Sequence, residues 1–338
     1  MAFGQLIARR MLLLLLVLFG VTVITFSVSH LVPGDPARML VGQRASQEMV
    51  EQMRRQLGLD RPVWEQYLRY MRDLVRGNLG ISIRTQRPVS EDLVIFFPAT
   101  LELALTAMFL AVVVGIPLGI VSATRKDSLA DHVSRLVSVA GVSTPLFWLG
   151  LVVLLVFYGR LGWLPGSGRL DPFIPAPPRV TGFLLLDSLL AGRPDAFWNA
   201  LRHLILPALC LSYVHLAVVT RQVRASMLEV LSQDYIRTAL ANGIPGRSVI
   251  YRHALKNALI PTVTVVGLAI GDLLGGAILT ETIFAWPGMG SYVVDSINFL
   301  DFPAIMGFTV FIAVGYVLIN LVVDLAYMWL DPRIRAVG

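Results

Sequence analysis

Six stretches of this chain are too apolar, over too many residues, to belong to a water-soluble fold. They cover residues 11–31, 100–123, 133–158, 204–219, 262–284 and 304–325. A hydrocarbon layer about 30 Å thick calls for roughly 20 apolar residues per helical crossing. Inside lipid every backbone donor and acceptor must be satisfied within the protein, and an α-helix does this within one segment. The pattern predicts an all-α integral membrane protein with six transmembrane helices. Charged residues make up only 15% of the chain, against about 25% in soluble domains. The first stretch follows Arg9 and Arg10 and exceeds the 7–15-residue apolar core of a secretory signal. With no small-residue cleavage site after it, it is expected to be retained as a span. The fourth stretch is short and carries Pro207 near its start.

Charge orients these spans. An even number puts both termini on one side, together with Arg125, Lys126, Arg135, the polar stretch from Arg221 to Lys256, and Arg333 and Arg335. The short opposite loop at 285–303 has no Lys or Arg. Cytoplasmic loops carry the excess of basic residues, so both termini are expected in the cytoplasm. Four regions follow: the N-terminus and first span (1–32), an external helical domain (33–98), a core with spans two to six (99–330), and a cytoplasmic tail (331–338). In the external domain Met49, Met53 and Leu57 share a helical face, with Ser46 as cap and Gly58 as stop. Trp64, Tyr67, Leu68, Met71 and Val75 form a second stripe after Pro62, ended by Gly77-Asn-Leu-Gly80. The other external loop, 160–202, is rich in Pro and Gly and is expected to be irregular.

Several function classes drop out. A lone Cys210 allows neither an internal disulfide nor a multi-cysteine metal site. Neither Lys126 nor Lys256 follows a glycine, so the chain has no phosphate-cradling GxxxxGK[ST] loop. Any ATP-driven work must use the ATP and Mg of a partner subunit, and the chain itself is expected to bind no cofactor and to catalyse no covalent chemistry. The five histidines show no HExxH pairing. An intramembrane aspartyl protease is disfavoured, because Gly271-Asp272 has no Tyr-Asp counterpart. The net charge of +6 comes from arginines in loops between apolar runs, where they meet lipid headgroups rather than nucleic acid. A gradient-driven secondary transporter is the remaining rival, although no internal repeat of the kind such proteins show is evident.

The polar stretch 221–260 reads as a helical hairpin between spans four and five. Ser232 is a cap candidate, with Asp234 favourable in the first turn. Ile236, Ala239, Leu240 and Gly243 make one stripe; Asp234, Arg237, Thr238 and Ala241 make the opposite face. Gly243 suits a left-handed position after the helix, and Pro245 prevents continuation. Ile250, His253, Ala254 and Asn257 form a second stripe leading to Pro261.

Arg237-Thr-Ala-Leu-Ala-Asn-Gly243 followed by His253-Ala-Leu-Lys-Asn-Ala-Leu-Ile-Pro261 resembles the EAA loop of ABC importer permeases, in the form of the dipeptide/oligopeptide/nickel branch. The likeness runs through Pro33-Gly-Asp-Pro36, Gly58-Leu-Asp-Arg-Pro62 with Gln66-Tyr67, Gly77-Asn-Leu-Gly80, Ala99-Thr-Leu-Glu-Leu103 and Gly115-Ile-Pro-Leu-Gly119. It continues through Ile278-Leu-Thr-Glu-Thr-Ile-Phe284, Trp286-Pro-Gly288 and Asp331-Pro-Arg-Ile-Arg335. The chain looks like the first of two permeases in a dipeptide-type importer. The resemblance implies a type I ABC importer fold in a bacterial inner membrane, a second homologous permease, two ATPase subunits below and an external substrate-binding protein. It also implies that Asp234, Tyr235, Ile236, Arg237, Thr238, Ala239 and Gly243 belong to an ATPase-coupling helix. The eponymous Glu-Ala-Ala reads Arg237-Thr238-Ala239 here, so Arg237 cannot make the pairings of a Glu. Short peptides lead as substrate, with nickel chelates or glutathione behind.

Ionisable groups within a span usually face a cavity or a partner. Asp272 lies mid-way in the fifth span, and Glu281 and Asp324 nearer span ends. Asp272 and Glu281 are candidates for a substrate pathway; helix packing is the alternative for Glu281 and Asp324. Gly115, Pro117 and Gly119 are expected either to break the second span or to serve close packing, as Gly275 and Gly276 would in the fifth.

Overall fold

Long helices that are apolar on nearly every face cannot bury themselves in one small core, and their surface shows it. In the computed structural model, which describes residues 3–31, 36–42 and 44–330, all regular elements are helices apart from one isolated bridge between Ile81 and Pro88. The order is α1 (Phe3–Leu31), α2 (Pro36–Val41), α3 (Gln47–Leu57), α4 (Val63–Val75), α5 (Val89–Thr124), α6 (Leu129–Ser143) and α7 (Leu146–Val153), which continues as a widened π-type turn to Arg160. Then come α8 (Leu184–Leu190), α9 (Pro194–Leu231), α10 (Asp234–Ala241), α11 (Gly246–Ser248), a second widened turn (Val249–Ala254), α12 (Leu255–Gly276), α13 (Ile278–Ile283), α14 (Met289–Asn298) and α15 (Phe302–Leu330). Leu12, Leu13, Leu15 and Leu16 on α1 are all at least half exposed. Water would not tolerate such a surface, and lipid favours it.

Five helices are long and apolar enough to cross a bilayer. The sixth expected span, 133–158, is not one straight helix: α6 and α7 meet at a bend of 105°. Pro145 causes it, because the residue before a proline is forced out of the helical region, and Thr144 is extended at ψ 122°. The fourth span is far longer than its apolar run, since α9 has 38 residues and carries Pro207 inside. The fifth stops at Gly276 rather than Phe284, with a break at Ala277 before α13. The 285–303 loop contains α14. Residues 33–35 of the Pro-Gly-Asp-Pro turn, the Asp331–Arg335 motif and the tail lie outside the described residues, as do the side chains of Arg9, Arg10 and Asp324.

Two compact units divide the described chain, one of residues 1–98 and 287–317, the other of 99–286 and 318–338. The first unit holds α1 to α4 and α14. In this first unit Ser46 Oγ accepts from the Met49 N–H at 3.3 Å, and Gly58 closes α3 at φ +70°. Tyr67 and Tyr70 of α4 pack on Phe26 of α1, with ring centroids 5.2 and 5.9 Å away. The rest of the α4 stripe is open, with Trp64, Leu68 and Val75 exposed. Asp301, fully buried, accepts from the Ser82 hydroxyl at 2.5 Å and the Arg84 N–H at 3.0 Å, and caps α15 through the Ala304 N–H.

The second unit packs α5, α6 and α12 around α9. Gly115, Pro117 and Gly119 do not break α5, which is continuous. A Cβ on Gly119 would fall 2.6 Å from Val223 Cβ and 2.9 Å from the Thr220 carbonyl, so that glycine is what lets α9 approach. The upper core gathers Leu103, Met108, Leu204, Leu211, Leu273 and Trp286. A lower one holds Ile120, Val219, Val223 and Met227 beside residues of the polar hairpin.

Candidate functional site

The hairpin begins where α9 runs out. Ser232 does not cap α10 as expected; its hydroxyl donates back to the Glu229 carbonyl at 2.7 Å and closes α9. Gln233, extended at ψ 149°, takes the N-cap place instead, without a side-chain bond. Its carbonyl accepts from the Ile236 and Arg237 N–H groups at 3.1 and 3.3 Å. At the far end the Gly243 N–H reaches the Leu240 carbonyl and the Ile244 N–H reaches the Ala239 carbonyl, at 3.0 and 3.2 Å. Together with Gly243 at φ +78°, this is the Schellman closure that the glycine position suggested.

Inner and outer faces of α10 differ sharply. Ile236 and Ala239 are buried among Ile120, Val223, Met227, Val249, Ala254 and Ala258. The hairpin is thus seated on the ends of α5, α9 and α12 at once. Leu240 and Gly243, read as part of that stripe, are exposed instead. The widened turn Val249–Ala254 also shifts register, so Val249, Ala254 and Ala258 point inward while His253 and Asn257 stay out. Asn257 Nδ2 donates to the Tyr235 hydroxyl at 2.8 Å and ties the two arms together.

Outward, α10 presents a mixed surface. The side chains of Asp234 and Arg237 are 96% and 73% exposed, 3.4 Å apart. Thr238, Leu240 and Ala241 are exposed beside them, and Tyr235 is 43% exposed. Six of the seven residues singled out here lie on α10, two facing in and four on its open side, and Gly243 closes the turn after it.

The two span carboxylates part company. Asp272 is exposed, between buried Gly271 and Leu273, within electrostatic reach of His215 on α9. Glu281 is fully buried and accepts from the Thr100 hydroxyl at 2.5 Å. Its backbone carbonyl takes the Trp286 N–H, while the Trp286 indole donates to the Ala99 carbonyl at 2.9 Å. In this arrangement Glu281 is thus enclosed among helices, whereas Asp272 is open.

Two buried ion pairs escaped the sequence reading. Glu102 pairs with Arg169 and also accepts from the Leu185 N–H at 2.9 Å, and Arg169 lies over the Trp286 ring. This ties the 160–202 loop, which holds the helix α8, to α5. Asp131, fully buried, takes Nε and Nη2 of Arg224 at 2.8 and 2.9 Å and the Ser122 hydroxyl at 2.5 Å. A charged residue inside an apolar run was the available signal for Glu102; its partner, 67 residues away, left none. Among the described residues no three metal-ligating side chains converge.

The model of the family described as "Binding-protein-dependent transport system inner membrane component" matches residues 115–336, and its N-terminal companion matches residues 3–104. The "Probable D,D-dipeptide transport system permease protein DdpB" of Escherichia coli K12 is 60% identical over 338 residues, covering 100% of this chain and 99% of that one. The "Dipeptide transport system permease protein DppB" of Alkalihalophilus pseudofirmus is 48% identical over 327 residues, with 97% and 98% covered. The "Glutathione transport system permease protein GsiC" of Escherichia coli O6:H1 is more distant, at 39% over 329 residues, with 97% and 98% covered.

Proposed function

Because the chain belongs to the family of binding-protein-dependent transport system inner membrane components, we propose that this multi-pass permease of an ABC importer forms half of a dipeptide translocation pathway. A second, homologous permease supplies the other half. Two ATPase subunits bind the ATP and Mg, and an external binding protein delivers the peptide. This chain holds no cofactor and performs no covalent chemistry. Both termini, the hairpin and the tail lie in the cytoplasm.

The observation that carries the coupling role is the two-faced α10. Its inner face is packed into the same apolar cluster as the ends of α5, α9 and α12. Its outer face offers Asp234, Tyr235, Arg237, Thr238 and Leu240 to a partner. A push on that face therefore reaches three long helices through close-packed side chains, which transmit strain because they have little room to yield. Movement of the ATPase pair would then shift these helices between inward-facing and outward-facing packings. Asp272, exposed at mid-span, is assigned to the pathway or to the contact with the second permease; Glu281 holds the packing behind it.

Substrate selection rests mainly with the binding protein, so the relatives guide the first choice. A D,D-dipeptide is the leading substrate class, ahead of L,L-dipeptides and glutathione. The test is reconstitution with the co-purifying subunits in liposomes, followed by uptake of labelled D,D- and L,L-dipeptides with and without ATP. ATP-dependent dipeptide uptake supports the reading. Purification without an ATPase, or uptake driven by an ion gradient alone, would replace it with a secondary transporter.

A further inference from the structure

Beneath the bend of the third span lies a cavity of about 260 Å³ that the transport reading leaves unexplained. It is lined chiefly by Ser122, Ser134, Arg135, Thr220, Arg221 and Arg224, from α5, α6 and α9. Two of its hydroxyls stand out. Ser134 Oγ and Thr220 Oγ1 are buried and have no hydrogen-bond partner among the described residues, and their residues are only 6% and 2% exposed. Buried polar groups are nearly always satisfied, so two orphans lining one cavity point to something that belongs there.

The charge around the cavity says what kind of thing. Arg135 and Arg221 are exposed, and neither forms an ion pair among the described residues. Asp131 holds Nε and Nη2 of Arg224, which fixes its fork and leaves Nη1 uncommitted. Asp131 and the more distant, exposed Asp127 are the acidic groups acting on Arg224. The lining thus carries three guanidinium groups, one of them paired with the buried carboxylate of Asp131 behind it. Hydroxyls with arginine forks are donors suited to phosphate oxygens.

The surroundings favour a lipid over a free ion. Leu136, Val139 and Val142 continue from the cavity along α6, exposed by 69%, 64% and 50%. An apolar ridge rising from a basic, hydroxyl-lined cup suits a headgroup phosphate whose acyl chains lie along the helix. We propose that this cup binds the phosphate of an anionic phospholipid and so couples the α6 bend and the base of α9 to the membrane leaflet on the hairpin side. Acidic lipids supply the phosphate and the negative surface potential that draws arginines to it.

The test uses the full chain in its co-purified complex. Retained lipid is read by native mass spectrometry, and the thermal midpoint is followed during titration with short-chain phosphatidylglycerol, short-chain phosphatidylcholine or inorganic phosphate. Phosphatidylglycerol should stay bound and raise the midpoint, while phosphatidylcholine should do neither. Losing Arg135→Gln and Arg221→Gln should weaken phosphatidylglycerol by about fivefold for each arginine. The pair Ser134→Ala and Thr220→Val removes only unpartnered hydroxyls, so it should weaken the lipid without lowering the lipid-free midpoint. Equal response to phosphatidylcholine, or wild-type affinity in both variant pairs, overturns the site. A midpoint raised by phosphate alone, with no lipid retained, overturns the lipid assignment; so does a cavity that binds nothing once the second permease is present.

Discussion

Asp131 with Arg224 and Asp234 with Arg237 are one chemical pair in two surroundings. The first joins α6 to α9, with its carboxylate fully buried and hydrogen-bonded by Ser122 and the Asp127 N–H as well. The second spans one turn of α10, almost wholly exposed, at 3.4 Å. Burial makes the difference. Removing one partner from a buried pair leaves an uncompensated charge, whereas an exposed pair is screened by water and contributes little. A charged pair that hardly stabilises its own helix is free to be read by another protein. The buried pair instead fixes α6 to α9.

The contrast breaks first at Asp131. Asp131→Ala should cost about 3–5 kcal/mol, because it strands Arg224, measured by denaturing-detergent titration of the purified complex. Replacing both residues by apolar ones of similar size should restore much of that loss. A single substitution that costs under about 1 kcal/mol would mean the two pairs do not differ as argued. Next comes the seat of the hairpin. Ile236→Ala removes a buried side chain next to Met227 and Val249, at about 2–5 kcal/mol. Faster amide exchange confined to residues 234–244 would show that α10 is held by its inner face; unchanged exchange would not fit.

Asp187 sharpens the same comparison with a buried carboxylate held by hydrogen bonds from its own loop. Burial opposes its ionisation, yet the Thr181 N–H at 2.8 Å, the Thr181 hydroxyl at 2.7 Å and the Gly182 N–H at 2.9 Å outweigh it and hold the carboxyl below the usual range. A depressed value in the folded state means the stabilisation is complete above the unfolded value, about 3.9. It is lost as the pH falls through the lower, folded value. The region around α8 should therefore keep its thermal midpoint from pH 7 to 5 and lose it only below about 4; Asp187→Asn should flatten that acid limb. An acid limb identical in the variant would assign it to other carboxylates.

The smallest effect on stability belongs to the exposed pair. Asp234→Ala or Arg237→Ala should change unfolding by less than about 1 kcal/mol, while Arg237→Ala with Leu240→Ala lowers transport per ATP hydrolysed. Normal coupling in that double variant would remove the outer face of α10 from the contact.

How much of this was readable beforehand differs by region. Residues 234–243 carried their own evidence: Gly243 required a left-handed turn, Pro245 a stop, and Ile236 and Ala239 an inward face. Ser232 was misplaced because a hydroxyl after a long helix can close it as readily as open the next. The stripe from Ile250 to Asn257 slipped because a widened turn adds a residue that no 3.6-residue count foresees. Glu102 was visible as a charge in an apolar run, but Arg169, Asp131 and Arg224 had no local mark, since their meaning lies in partners 67 and 93 residues away.

By itself the sequence determined the class of molecule: lipid demands long apolar helices with satisfied backbones, and that demand is written residue by residue. It also marked where the chain must turn, at Gly58 and Gly243, because φ is a local property. Only the tertiary structure decided which charges are buried and which are offered outward. It alone showed that Gly119 admits Val223 rather than breaking a helix. It alone brought Ser134, Thr220 and three arginines around one cavity. Desolvation and close packing depend on neighbours brought together across the chain, and no window of sequence contains them.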